Sequence, residues 1–192
     1  PMIGPMIGGA LDEVFGWRAP FTMLLLSGAG VLALVWFDLG ETNRARSGGF
    51  VEQFRAYPEL VRSRRFWGYA LAAAFASGAF FAYLGGAPFV ATEVLGLSPA
   101  ETGFWFGGIA VGYALGNFLA GKFTRVFGMT AMMIAGSVVA ILGVGASLYL
   151  FSHGQATPLG FFGGISLVGV GNGLALPSAN AGMLSVRPRL AG

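Results

Sequence analysis

The hydrophobic and polar positions of this 192-residue chain fall into long blocks, not into a short repeat. Five apolar stretches (19–37, 66–90, 103–121, 129–151 and 159–186) lie within or above the roughly 17–25 residues that a helix needs to cross a hydrocarbon core. A sixth, 1–10, covers only about half of a ~30 Å core at ~1.5 Å per residue, and is expected to be the end of a helix whose start lies outside the chain. None of the five long stretches alternates its apolar positions with a polar face, so buried helices of a large soluble domain do not explain them. The pattern predicts an all-α membrane protein with five full transmembrane helices plus a truncated one.

Composition agrees. The chain is 55% hydrophobic and 10% charged, with 33 Gly and 18 Phe. Soluble domains carry about a quarter charged residues, so lipid is the solvent this chain asks for. With no cysteine there are no disulfides, thiolates or cysteine-based metal sites. Residue 1 is a proline inside an apolar run with no charged leader before it, and the chain is expected to be a piece of a longer protein.

Charge then orients the spans. The loop 39–65 carries Arg44, Arg46, Arg55, Arg62, Arg64 and Arg65, and alternation puts Lys122, Arg125, Arg187 and Arg189 on the same side. That is ten of the eleven basic residues, with Arg18 alone opposite, and the positive-inside rule makes this side cytoplasmic. The organisation expected is 1–38, then the cytoplasmic loop 39–65, then 66–192. The net charge of +3 is met by anionic headgroups and requires no nucleic acid. Within the loop, Phe50, Val51, Phe54 and 57–60 read either as a short amphipathic helix on the membrane surface or as a plain tether.

The opening string "PMIGPMIGGAL" is apolar yet holds Gly4, Pro5, Gly8 and Gly9. Proline and glycine are tolerated in membrane helices, where neighbours satisfy the freed backbone groups, and Gly4 and Gly8 at i and i+4 leave a bare stripe for another helix. Gly108, Gly112 and Gly116 form a second such stripe.

"GPMIGG", followed by "GWRAPF" and "GETN", resembles the fifth-to-sixth helix region of major facilitator superfamily transporters, and Gly4-Pro5-Met6-Ile7-Gly8-Gly9 resembles the antiporter motif of its drug-efflux branch. "RRFWGYALAAAFASGAFFAYLGGAPFV", "GLSPAETGFWFG" and "LPSANAGMLSVRPRLAG" are similar to Bcr/CflA-type multidrug efflux proteins. The resemblance spans essentially the whole chain and implies the end of helix five through helix ten of a twelve-helix fold. It departs at "GKFTRVFG", where Arg125 stands in place of the acid of the superfamily loop signature between Gly121 and Gly128. A basic topology anchor is expected there.

The resemblance gives roles to residues that the pattern alone leaves open. Tyr69, Ala73, Ser77, Phe80 and Tyr83 form a stripe ending at "GGAP", an expected helix break, and packing explains such a stripe as well as ligand contact does. As the implied seventh helix it would line the substrate cavity, and an uncharged aromatic wall suits amphipathic or cationic drugs. Asn172 and Asn180 place amides in the last span, where they either bond across helices or face water. As the implied tenth helix, this span makes Asn172 the best polar substrate contact, while Asn117 is expected to join helices. Gly108, Gly112 and Gly116 are expected to meet Gly4 across the outer seam between the two bundles, with Pro5 setting a bend.

No span holds an internal carboxylate: Asp12, Glu13, Glu93 and Glu101 are expected in outer loops, and Asp38 at a helix end. A proton-coupling acid would therefore lie outside this chain. His153 sits in an outer loop without partners at metal-ligand spacing, and "GISLV" lacks the second glycine of a serine nucleophile elbow. No enzyme chemistry, cofactor or metal is expected. The function implied is drug/proton antiport exporting small amphipathic compounds by alternating access, from a monomer in a bacterial inner membrane. A specific metabolite exporter of the same fold and a non-transporting membrane scaffold stay open as alternatives.

Overall fold

The computed structural model describes residues 4–38, 57–58 and 60–186. Its helices are α1 (Gly4–Phe15), α2 (Arg18–Phe37), α3 (Arg64–Phe89, running into a π turn at Val90–Val94), α4 (Pro99–Phe127), α5 (Met129–Ser152) and α6 (Pro158–Val186). No strand occurs among the described residues. The helices α2 to α6, with α3 counted through its π turn, are long and apolar enough to cross a membrane. The architecture is all-helical, as the apolar blocks predict.

Several boundaries differ from the sequence expectation. α4 begins earlier because Ser98 and Glu101 cap it reciprocally: the Ser98 Oγ accepts from the Glu101 N–H at 3.2 Å, and a Glu101 carboxylate oxygen accepts from the Ser98 N–H at 2.8 Å. It also ends later, so Lys122 and Arg125 stand on helix and not in a loop. A cation in a last turn suits the helix dipole, and Arg125 is placed there. The turn into α5 is one residue, Gly128, at φ 84°, a conformation that side chains avoid. α1 continues past Ala10 to Phe15, which puts Asp12 and Glu13 on helix as well.

The expected break at "GGAP" does not form. Pro88 lies inside α3, and the helix widens into the π turn one residue after Phe89. Proline removes one backbone donor and crowds the preceding turn, and a wider turn is one way to absorb that without ending the helix. Thr92 adds a bond by donating its hydroxyl to the Pro88 carbonyl at 3.0 Å. Buried Ala87 and Ala91 hold this stretch against Phe106, Ile109 and Phe162. In the central loop, Tyr57, Pro58 and Leu60 are helical, while Phe50, Val51 and Phe54 lie outside the described residues.

α6 is the hub. Thirteen of its residues are buried, against none in α2. α3, α4 and α5 all pack on it, and α1 packs on α4 and α2. In lipid, helices gain little from hiding apolar surface, so close backbone approach and interhelical hydrogen bonds carry the packing. Glycine supplies the approach. A Cβ at Gly116 would overlap the Val170 carbonyl and lie 2.9 Å from the Gly173 Cα, and one at Gly143 would lie 2.8 Å from the Leu167 Cβ. Ser147 of α5 adds polar contact, donating to the carbonyls of Gly160 (2.9 Å) and Phe161 (3.2 Å).

Gly116→Leu should therefore cost at least about 2 kcal/mol, since the obstructing atoms are backbone and cannot turn aside. Gly28→Leu in α2, where an added Cβ meets nothing, should leave stability unchanged. Thermal aggregation and protease resistance in detergent would measure both.

Candidate functional site

α3 and α5 both lean on α6 but make little contact with each other, so a trough runs between them. Two adjoining cavities occupy it, of about 460 and 640 Å³, sharing Ala79, Val144 and Val168. The smaller is walled by Tyr83, Phe151, Phe161 and Ile165, and the larger by Ala72, Phe75, Ala76, Ile141 and Asn172. No charged residue lines either one. Such a space accepts apolar or aromatic groups and offers few polar anchors.

Asn172 is buried, and its Nδ2 donates to the Ala76 carbonyl of α3 at 3.3 Å. The amide thus joins α6 to α3 and also lines the larger cavity. Tyr83 stands at the smaller cavity, with its ring 5.8 Å from Phe106 and 5.6 Å from Phe161. Its hydroxyl oxygen is buried without a hydrogen-bond partner. Buried polar atoms are almost always paired, so this oxygen can still bond a group that enters beside it.

The other expected cavity residues lie elsewhere. Tyr69 is packed with Met133 and Ala179, its ring against Gly182 and its hydroxyl within reach of the Thr130 and Arg65 side chains. Phe80 packs against the core cluster of Phe106 and Phe162. Ser77 is half-buried and lines neither cavity, and Asn180 is exposed. Asn117 bonds the Tyr113 carbonyl of its own helix at 2.9 Å and joins no other helix through its amide. The row of α3 that meets the trough is Ala72, Ala76, Ala79 and Tyr83, so the aromatic stripe pointed one row aside. The signal available was the run of small residues in "LAAAFASGA", which lets two helices separate around a space.

The seam glycines also need correction. Gly108, Gly112 and Gly116 face Ser166, Val170 and Gly173 of α6, not α1. Gly4 and Gly8 have no described neighbour at their Cα face, whereas Gly9 lies against Pro99 and Gly103, and the Met6 sulfur lies against Gly107. α1 and α4 do meet, through a neighbouring face of each helix. A stripe of small residues marks where some helix comes close; the partner is set by the whole bundle. The bend expected at Pro5 would involve the turn before it, which lies outside the described residues. His153 is exposed, with its Nδ1 2.9 Å from the Tyr149 carbonyl oxygen and 3.2 Å from the Ser152 Oγ, and it belongs to no group of three or more potential metal ligands among the described residues.

Comparison with known proteins places this geometry in context. A chloramphenicol resistance protein of Pseudomonas aeruginosa is 27% identical over 192 residues, covering all of this chain and 45% of that protein. The multidrug transporter MdfA of Yersinia pestis is 28% identical over 190 residues, covering 96% of this chain and 44% of its own length. A bicyclomycin resistance protein homolog of Haemophilus influenzae is 27% identical over 136 residues, 69% of this chain and 34% of its own. The chain thus spans less than half the length of these relatives. The model of the Major Facilitator Superfamily matches residues 1–192. An uncharged trough between membrane-spanning helices and a family match along its entire length lead to one conclusion: the chain belongs to the major facilitator superfamily, as a multi-pass membrane protein and not an enzyme.

Proposed function

We propose that this chain is part of a secondary transporter that exports small amphipathic compounds in exchange for protons, by alternating access of two helical bundles around a midplane site. The observation that carries the reading is the trough beside α6: apolar, aromatic at one end, free of charge among its lining residues, and offering the Asn172 amide and the unpaired Tyr83 hydroxyl. Rings would stack on Phe161 and Tyr83, while a single hydrogen bond would fix orientation. The resistance proteins that the chain is similar to support a drug as substrate.

In this reading α1 and α2 belong to one bundle and α3 to α6 to the other, and the contact of Gly9 and Met6 with α4 is the outer part of the seam between them. The described carboxylates sit near helix ends: Asp12 and Glu13 in α1, Asp38 after α2, Glu93 in the π turn and Glu101 in the first turn of α4. The proton-coupling acid is accordingly assigned to the part of the transporter outside this chain. The loop 39–65 is cytoplasmic in a bacterial inner membrane, and the protein acts as a monomer.

In the transporter that contains this chain, Asn172→Leu and Tyr83→Phe should each change resistance to lipophilic drugs by several-fold at unchanged membrane abundance. Tyr83→Phe is the cleaner probe, because it removes an unpaired oxygen and breaks no internal bond. Unaltered resistance in both variants across a drug panel would sink the substrate site. Reporter fusions at Ser47 and Gln155 should read cytoplasmic and external respectively; matching signals would overturn the topology.

A further inference from the structure

Five described cations stand where α3 starts and α4 ends. Arg62, Arg64 and Arg65 flank Ser63, which caps α3, and Lys122 and Arg125 stand near the end of the antiparallel α4. All five are exposed, and among the described residues none takes part in an ion pair. Lys122 rests over the Phe123 ring at 5.5 Å. Tyr69 packs with Met133, so this end of α3 lies against the start of α5.

Helix stability does not explain this group. Arg64 and Arg65 occupy the first turn of α3, where the dipole disfavours cations, and that turn holds no acid. The surroundings are those of a membrane rim. Trp67 is pinned by its indole N–H, which donates to the Val61 carbonyl at 2.7 Å, and remains 44% exposed beside the arginines. Val126 and Phe127 are exposed at the same end of α4. Tryptophan at this level sits among headgroups and upper acyl chains, and a guanidinium pairs with a phosphate through two parallel hydrogen bonds.

We infer that this rim docks an anionic phospholipid, with Arg62, Arg64 and Arg65 on its phosphate and Trp67 beside its glycerol and upper acyl region. The surface is independent of what the protein transports. Its role is to bind the adjacent leaflet to the start of α3, the helix that walls the trough.

Trp67 is a native reporter for the test. The transporter that contains this chain is placed in bilayers containing acyl-brominated phosphatidylglycerol or acyl-brominated phosphatidylcholine, and the Trp67 signal is taken as the difference from Trp67→Phe. Phosphatidylglycerol should quench that signal with at least roughly threefold higher apparent affinity. The advantage should fall as salt is raised, disappear in the triple variant Arg62→Gln, Arg64→Gln, Arg65→Gln, and survive added inorganic phosphate at constant ionic strength. Equal quenching by the two lipids overturns the inference, as does an advantage that persists in the triple variant. Loss of the advantage to inorganic phosphate would overturn it too, by identifying a small-anion site. If the triple variant loses its helical circular dichroism, the salt series on the parent transporter decides, and a salt-independent advantage refutes the docking.

Discussion

The bundle depends on how closely the backbone of α6 approaches α4 on one side and α5 on the other. Gly112 and Gly116 admit the carbonyls of Ser166 and Val170, while Gly136 and Gly143 admit those of Gly171 and Gly164. The contacts are reciprocal, because Gly171 and Gly173 of α6 lie equally close to Gly136 and Tyr113. Helices in lipid cannot rely on expelling water between them, so dispersion at short range and a few polar links must hold them. The Ser147 hydroxyl, bonded to two carbonyls of α6, is such a link.

α3 is held differently, and the trough follows from that difference. Its join to α6 rests on the Asn172 amide at Ala76, on Tyr69 against Gly182, and on Ala87 and Ala91 in the core cluster of Phe106 and Phe162. The alanines between these points present little side chain to α5, and space remains. The same scarcity of polar groups that lets the helices live in lipid leaves the trough uncharged. Its polar lining is limited to the Asn172 amide, the Tyr83 phenol and the hydroxyls of Ser137 and Ser147, the last already bonded within the bundle.

The two ends of α3 contrast in the same way. At its start, exposed arginines stand beside Trp67, which is half-exposed. At its far end, Pro88 and the π turn shift the backbone register before Gly96 ends the element, yet Ala91 stays fully buried. The irregular turn is thus packed in protein only on its Ala91 side, while Thr92, Glu93 and Val94 are exposed.

The sequence by itself determined the solvent and the elements. Apolar runs of spanning length with almost no internal charge permit only helices in lipid, and the bounds of α2, α5 and α6 lie within a residue or two of those runs. Capping and turn chemistry moved only the ends of α1, α3 and α4. Tertiary structure decided partnership and facing. Glycines four apart announce a close approach without naming the neighbour, so Gly108, Gly112 and Gly116 belong to α6 and Gly9 carries the contact with α1. A helical stripe drawn through aromatic residues is equally ambiguous, because in lipid every face can be apolar and hydrophobicity no longer marks the inside. Asn172 was legible, since a lone amide in hydrocarbon must meet something, but that it would bond Ala76 beside an open trough depended on where α3 came to rest.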